Sequence, residues 1–449
     1  ESVQMRLSNF GIASRIYRER RAAGMRMLPN GQGGLSEYFC EAQHELAITK
    51  RNLNVFAEEI GFMMAYKQEA LNDYLTRGSR GTYRENFTAR VESITLEGEE
   101  AVYDLTEPLT HSFVGNGIVV HNCGEQWLLP YESCNLGSVN LSLHVTEDGK
   151  VDWDKLQATI EQATRFLDDV VEVNRYVDAV PQLREAALRA RRIGLGFMGL
   201  ADMMIRCNLR YGSVEGQEFA AQISELMRYH AMKTSIALAK ERGAFPAIKG
   251  SIYDPENVTW KPPQPLTPYQ NDWGRPKLNW KSIVKSIKKH GIRNAAQTTI
   301  APTGTISTVS GCEGYGCEPV FALAYTRYVV DGESRFELTY GSPLLEEKLR
   351  GAGLDDEAVQ QIINQVSEEG GCQTVEAIPE DIRNALVVSS DVTPEEHVRM
   401  QANIQAFIDN SISKTINMPN SATVEDVQTA YRLAWELGAK GLTVYVTGS

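Results

Sequence analysis

No run of about 18 apolar residues occurs anywhere in the chain, which excludes a membrane-spanning helix of ordinary length. A charged-then-apolar leader is missing too, so no signal peptide is expected. Positive charge is in deficit. The 45 Lys and Arg face 58 Asp and Glu, a net charge of −13. Such a surface is not set up to hold duplex DNA or an anionic membrane, although a local basic patch remains allowed. Cysteine is scarce and odd in number, with 7 residues at positions 40, 123, 134, 207, 312, 317 and 372. In a long chain this argues against a disulfide framework and for buried or catalytic thiols in a reducing cytoplasm. No Cys-x-x-Cys or His pair accompanies them, so no metal site is expected. Internal repeats and low-complexity tracts are absent. What is present is ample core material: 449 residues at 42% hydrophobic content argue for two or three domains. The chain opens on Glu1 and closes on Val446-Thr447-Gly448-Ser449, and reads as a fragment.

Residues 1–75 combine a basic opening (Arg15, Arg18, Arg20, Arg21, Arg26) with short stretches that read as helical. Residues 76–90 are polar and contain Arg and Gly, as a linker does. From Val91 the pattern turns β-like. Ala101–Leu105 and Ile118–Val120 are short apolar runs, and Asn116-Gly117 is a strong hairpin signal. After Cys123 the character is α/β. Asp152 predicts an N-cap, with Leu156, Ile160, Ala163, Leu167 and Val170 on one buried face. A long helix is expected from Ser213 to a stop at Gly243. Thr393-Pro394-Glu395-Glu396 combines N-cap, first-turn proline and capping-box glutamate. Thr423–Asp426 opens another helix that should end at Gly438, and Leu442–Val446 reads as a buried strand. Helices alternating with short apolar runs imply an α/β sheet or barrel.

Three patterns carry chemistry. In His121-Asn122-Cys123, the Asn side-chain amide can attack its own carbonyl and break the chain while the His protonates the leaving amine. By residue type alone a surface turn explains the pair as well. Cys123 and Glu125 lie two residues apart, so in an extended loop their side chains point the same way. A thiol and a carboxylate converging on one ligand suit hydrogen abstraction with base catalysis, and Cys134 can supply a second thiol for redox chemistry. Buried packing of both cysteines is the alternative. Thr298–Ser307 places small hydroxyl residues and Gly304 after an apolar run, offering N–H groups and hydroxyls to phosphate. It lacks the Gly-Lys-Thr/Ser ending of a Walker loop, and a plain strand-to-helix turn is equally compatible. Cys312 and Cys317 read as buried packing, as do Cys207 and Cys372 as core or surface thiols.

Val102-Tyr103-Asp104-Leu105-Thr106 and the run from His111 through Asn122 closely resemble the C-terminal splicing blocks of inteins. The resemblance implies that His121 is the penultimate histidine, Asn122 the cyclising asparagine and Cys123 the first residue of the downstream extein, with Asp104 and His111 assisting. Asn9–Tyr17, His44-Glu45-Leu46 and Ile60-Gly61-Phe62 resemble the latter part of a LAGLIDADG homing endonuclease domain. The acidic helix motifs of that family are not in the chain, so no endonuclease activity is expected. DNA is a partner for this segment alone, where the basic opening reads as a DNA-facing remnant or as a solvated face.

Downstream, Cys123-Gly124-Glu125-Gln126 with Leu128–Leu141 strongly resembles the active-site segment of ribonucleotide reductases. So do Arg191–Gly199, Ala301–Ser307, Gly316-Cys317-Glu318-Pro319 and Lys414–Pro419, in the expected order. The implied fold for 123–449 is the C-terminal part of a ten-stranded α/β barrel, with Cys123 on its central finger loop. It would be preceded by a partial α/β endonuclease domain (1–75) and by a linker with a short β-rich splicing segment (76–122). Cys123 is implied as the thiyl-radical residue that takes the ribose 3′ hydrogen, and Glu125 as the acceptor of the 3′-hydroxyl proton. Cys134 is implied as one of two cysteines that reduce the 2′ position, its partner lying outside this chain. Pro302, Thr303, Gly304, Thr305, Ile306 and Ser307 are implied as the seat of the substrate phosphates. The wording is closest to class II, adenosylcobalamin-dependent enzymes, and the Tyr-Tyr pair of class I enzymes is absent. The resemblance further implies a ribonucleoside di- or triphosphate substrate, a thioredoxin- or glutaredoxin-type reductant and no membrane, and it allows a homodimer. Asn122 belongs to the intein pattern and receives no substrate role. The fragment alone is expected to be inactive. A competing reading is a self-processing intein element with a non-catalytic nucleotide-binding passenger.

Overall fold

A computed structural model describes Leu7, Ile12 and residues 14–29, 34–48, 51–62, 64–76, 112–115, 118–121, 124–331 and 334–446. The chain divides into two compact units, Glu1–Asn122 and Cys123–Ser449.

In the first unit, β1 (Ser14–Arg21) pairs antiparallel with β4 (Gln43–Ile48), and β2 (Gly24–Pro29) with β3 (Leu35–Cys40). Helices α1 (Arg51–Glu59) and α2 (Ala65–Thr76) follow. The expectation of helical stretches around the basic opening is therefore corrected, because Arg15, Arg18, Arg20, Arg21 and Arg26 lie on strands. Alternation between half-buried and exposed positions, with Tyr17 and Met25 among the exposed, suits a strand period of two. A small core of Leu7, Ile12, Phe56 and Leu71 closes the unit. β5 (Ser112–Gly115) and β6 (Ile118–His121) form an antiparallel hairpin in which Gly115 pairs with Ile118, so the Asn116-Gly117 dipeptide joins them. Residues 77–111, including the 101–105 run, lie outside the described residues.

The second unit is built on parallel pairing in chain order. β7 (Leu136–Asn140) pairs with β8 (Gly194–Met198) in parallel. Leu195 of β8 bridges Thr298, Ile300 bridges Ile412, and β11 (Thr415–Met418) pairs with β12 (Thr443–Val446), all parallel. Five parallel segments thus stand side by side, and helices fill the connections between them. These are α3 (Trp153–Val173) and α4 (Pro181–Ala190) before β8, then α5 (Leu200–Arg206), α6 (Val214–Arg242) and α7 (Trp280–His290) before residues 298–300. The third connection holds α8 (Gly304–Val309), an antiparallel hairpin of β9 (Ala324–Asp331) and β10 (Ser334–Gly341), α9 (Pro343–Gly351), α10 (Asp356–Glu369), α11 (Glu380–Arg383) and α12 (Pro394–Gln405). Helix α13 (Val424–Glu436) links β11 to β12. Parallel strands in sequential order with helical crossovers are the repeating unit of an α/β barrel wall.

The predicted caps sit where their chemistry demands. Asp152 accepts from Lys155 N, Ser213 from Gly216 N, and Thr393 and Glu396 form a reciprocal capping box, as do Thr423 and Asp426. Helix α6 stops at Gly243, whose φ of 86° suits glycine. Two sequence expectations are corrected. The buried face of α3 runs through Trp153, Leu156, Ile160, Thr164, Leu167, Asp168 and Val171, so Ala163 and Val170 are only half-buried. The face rotates because Asp168 is fully buried as an acceptor for Arg191 Nε (3.0 Å) and Asn294 Nδ2 (3.0 Å), with Arg293 and Arg242 beside it. A buried carboxylate is tolerated only when paired in this way. Strand β12 is half-buried along its length instead of fully buried, since it forms an edge of the parallel array among the described residues.

Helix α6 is buried almost all round and carries two inward carboxylates that would be costly unpaired. Glu218 accepts from the backbone N–H groups of Gln270 (2.9 Å) and Asn271 (2.8 Å). Glu225 accepts from Tyr269 (2.9 Å), Arg275 (2.8 Å) and Trp280 (2.8 Å). They tie down the proline-rich residues 255–276 before α7, which have no helix or strand of their own.

Candidate active site

The segment Gly124–Trp127 has no secondary structure, and the parallel array holds it in place. Ser411 N donates to the Glu125 carbonyl (3.0 Å). Thr299 Oγ1 lies 2.6 Å from that carbonyl and 2.8 Å from the Ser411 carbonyl, sharing one proton between them. Trp127 N donates to Asn410 Oδ1 (3.0 Å). The loop is thus fastened to the third and fourth parallel segments, and the Glu125 side chain is buried with 2% exposure. Glycines in β8 make room. A Cβ on Gly194 would stand 2.3 Å from Gln126 Nε2 and 2.7 Å from Thr299 Cγ2. A Cβ on Gly196 would stand 2.1 Å from the Thr299 carbonyl oxygen, a distance no side chain tolerates. The Gly194-Leu195-Gly196-Phe197 alternation therefore turns its glycines to the loop side and its buried Leu195 and Phe197 to the opposite face.

Beyond Trp127 the chain makes a tight turn. Glu132 N donates to the Leu129 carbonyl (3.0 Å), with Pro130 and then Tyr131 at the corner, the latter at φ 66°. Glycine is usual at that second corner position, and a Tyr there stores on the order of 1 kcal/mol of strain. Glu132 secures the turn through Leu129 N (2.8 Å) and stands 2.9 Å from Arg192 Nε. Cys134 follows, solvent-exposed in part, and is a free thiol. Burial of the rest of its surface pushes its pKa up, and the Glu125 carboxylate adds to the rise. That influence puts Glu125 and Cys134 in one electrostatic neighbourhood. Asn135 then anchors the start of β7, its carbonyl accepting from Gly194 N (2.9 Å).

Residues Pro302–Ser307 leave the same segment that clamps Glu125. Thr303 adopts φ 56° and caps the N-terminus of α8 without a side-chain bond. Its hydroxyl instead pairs with Ser307 Oγ (2.8 Å) and accepts from Gly316 N (2.6 Å). The expectation that all of these hydroxyls face a ligand is therefore corrected: Thr303 and Ser307 are turned inward and buried. Pro302, Thr305 and Ile306 are exposed and Gly304 is half-buried. A Cβ on Gly304 would meet nothing within 4 Å. Behind the loop, Glu318 receives the buried Lys414 ammonium and Thr415 N (2.6 Å), tying this region to the fourth segment. Lys414 also donates to the Thr415 carbonyl (2.5 Å) and to His397 Nδ1 (2.9 Å). Burial, and then Lys414, push the His397 pKa down to about 2, so it acts as a neutral acceptor.

Cys312 and Cys317 are buried, and burial pushes them up to about 11 and about 12. Thiols so placed are inert packing groups. No group of three or more metal-ligating side chains occurs among the described residues. No helix there is long and apolar enough to cross a membrane. Of the predicted splicing residues, His121 ends β6 opposite Ser112. Asp104, His111, Asn122 and Cys123 lie outside the described residues. Sequence reasoning gave no part to Asn410 and Ser411 and placed Thr299 only in the Thr298–Ser307 run, because nothing in their local sequence shows that they converge on residue 125.

A family model described as the ribonucleotide reductase barrel domain matches residues 36–445, and a LAGLIDADG-like domain model matches residues 1–61. A vitamin B12-dependent ribonucleoside-diphosphate reductase of Thermoplasma acidophilum is 40% identical over 332 residues, covering 74% of this chain and 38% of the relative. The enzyme of the same name from Mycobacterium tuberculosis is 38% identical over 327 residues, covering 73% and 41%. A ribonucleoside-diphosphate reductase subunit alpha of Chlamydia muridarum is 32% identical over 326 residues, covering 70% and 30%. The chain spans about two fifths of the length of the first two relatives.

Proposed function

The chain belongs to the ribonucleotide reductase barrel family, and from that premise we propose that residues 123–449 form the C-terminal part of a class II reductase barrel. The protein it belongs to converts ribonucleotides to 2′-deoxyribonucleotides by thiyl-radical chemistry. The observation that carries this reading is the buried Glu125, held through its carbonyl by Thr299 and Ser411 and close enough to Cys134 to raise that thiol's pKa. Cys123 takes the 3′ hydrogen of the ribose, and Glu125 accepts the 3′-hydroxyl proton in a dry site where its basicity is not spent on water. Cys134 supplies reducing equivalents at the 2′ position and ends in a disulfide with a partner cysteine. The open N-terminus of α8, from Pro302 to Ser307, receives the substrate phosphates through backbone N–H groups and Thr305. A dithiol protein of thioredoxin or glutaredoxin type restores the thiols, and the cytoplasm is the compartment that suits this chemistry.

Adenosylcobalamin, when bound, supplies the radical that this chemistry starts from. The residues present leave room for such a group: Gly124, next to Cys123, is exposed, and a Cβ there would meet nothing within 4 Å.

Residues 1–75 are proposed to be a partial LAGLIDADG endonuclease domain without activity, and 76–122 a linker with the C-terminal splicing segment of an intein. The division of the chain between Asn122 and Cys123 supports a junction there. In this reading Cys123 acts twice, first as the splicing nucleophile and then as the radical residue. Asp104, His111 and His121 assist cyclisation of Asn122. Asn122→Ala is expected to stop chain cleavage and leave nucleotide binding intact, as intact-mass analysis and nucleotide titration of the unspliced protein would show.

The whole proposal is tested on the full-length gene expressed so that spliced product forms. Deoxynucleotide is assayed from a ribonucleotide and dithiol, with and without adenosylcobalamin. Product that depends on the cofactor is expected. Correctly spliced protein that makes none would sink the assignment.

A further inference from the structure

A cavity of about 150 Å³ opens beside Cys134, between the turn at Glu132 and helices α3 and α4. Its wall includes Glu132, Cys134, Tyr176, Ala187, Ala190 and Arg192. The two alanines leave the space that larger side chains would fill. Glu132 is unusual among these groups. Its side chain is only 3% exposed, and one carboxylate oxygen, Oε2, is engaged by Leu129 N and Arg192. The other, Oε1, is buried with no hydrogen-bond partner. An unpaired carboxylate oxygen out of water is costly, and one kept in a folded protein calls for an explanation.

We propose that Glu132 is the proton acceptor for thiol–disulfide exchange at Cys134, and that the cavity admits the incoming thiol of a dithiol reductant. This rests on the reading of Cys134 as a redox cysteine. The attacking thiol of the reductant must lose its proton to become a thiolate, and Cys134 must regain one as it leaves, since burial and Glu125 both raise its pKa. A local base is therefore needed. In the first step an entering thiol gives its proton to Glu132 Oε1. Its sulfur attacks Cys134 Sγ, the bond from Cys134 to the partner cysteine breaks, and the electron pair leaves on the partner's sulfur. In the second step the other thiol of the reductant attacks the mixed disulfide. Cys134 leaves as thiolate and recovers the proton held by Glu132, while the second thiol's proton passes to the partner cysteine. The dithiol is oxidised by two electrons and the active-site disulfide is reduced by two.

The full-length spliced enzyme tests this with dithiothreitol as the reductant. Enzyme reduced beforehand is followed through its first turnover, and then in steady state. Glu132→Gln is expected to spare the first-turnover yield but slow the steady state by about 10²-fold, the usual worth of a positioned base. Glu132→Asp should recover part of it. Ala187→Met, which fills the cavity without weakening the helix, is expected to raise the KM for dithiothreitol and leave the KM for the nucleotide unchanged. Normal steady-state turnover in Glu132→Gln, or equal loss in both phases, would overturn the proposal, as would an unchanged dithiothreitol KM in Ala187→Met. Cys134→Ser is run in parallel. If it turns over like the parent, the redox reading of Cys134 itself fails. If it is dead while Glu132→Gln is normal, only the role of Glu132 fails.

Discussion

Cys123→Ser in the full-length protein is expected to remove deoxynucleotide formation by more than about 10³-fold, or about 4 kcal/mol in barrier, while spliced protein still accumulates. The two consequences separate because the two proposed jobs of the residue make different demands. A hydroxyl can replace a thiol as a splicing nucleophile, with lower reactivity. It cannot replace it as a hydrogen-abstracting radical, because the O–H bond is much stronger than S–H and the oxygen-centred radical is too high in energy to form. The substitution should not disturb the fold of the loop. The bonds that hold Gly124–Trp127 run from Thr299, Asn410 and Ser411 to the Glu125 backbone and Trp127 N, and none uses the side chain at 123. Intact mass, the thermal midpoint and product assay together read the result. Retained activity in a spliced Cys123→Ser protein would end the radical assignment.

Asp409→Ala is expected to cost about 3–5 kcal/mol of stability, the range for stranding one partner of a buried ion pair. Arg228 on α6 is 3% exposed, and Asp409 is its counter-charge. The same carboxylate accepts from Gln297 N (2.8 Å), Thr298 N (2.6 Å) and Thr298 Oγ1 (2.8 Å). One side chain thus joins the central helix to the start of the segment that clamps Glu125. Truncation leaves a buried guanidinium and two backbone donors without their acceptor. Denaturant titration of the full-length enzyme should show the midpoint fall with little change in slope. Acid has a related effect. Burial alone would raise the Asp409 pKa, but Arg228 and the N–H groups of Gln297 and Thr298 outweigh it, and the net shift is downward. A depressed carboxylate contributes stability that is present above its unfolded value, near 3.8, and is lost as pH falls through the lower folded value. The parent should therefore lose stability in that acid range, and Asp409→Ala should lose less of it there. An equal acid response in both proteins would argue against the pair.

Some of this architecture is local and some is not. Asp152, Ser213, Thr393 and Thr423 are capping residues whose hydrogen bonds reach only three positions along the chain. Their sequence neighbourhoods suffice to place helix starts. The same holds for the Gly243 stop and for the Asn116-Gly117 hairpin, where a two-residue loop needs residues that accept positive φ. The order of reductase motifs was legible for the same reason, since each is a contiguous run.

The strands of the first unit were misread because residues 14–48 carry charge at many positions, which hides a period of two on small, partly exposed hairpins. The rotation of α3 was hidden differently. Hydrophobic periodicity counts Asp168 as a surface residue, whereas Arg191, Asn294 and Arg293, at least 23 positions away in the chain, make its burial tolerable.

The sequence by itself determined the helix ends, the hairpin turn, the candidate chemistry at Cys123, Glu125 and Cys134, and the family. Each of these depends on residue type and short spacing. Only the tertiary structure decided that Thr299, Asn410 and Ser411 hold residues 125–127, and that Thr303 and Ser307 spend their hydroxyls on each other. It also decided that Arg228 pairs with Asp409, and that Glu132, one of whose oxygens is buried without a hydrogen-bond partner, stands in the wall of a cavity beside Cys134. Those contacts join residues from 4 to 286 positions apart. The long-range ones depend on how parallel segments stack, a cooperative outcome of packing the whole core that no local window of residues contains.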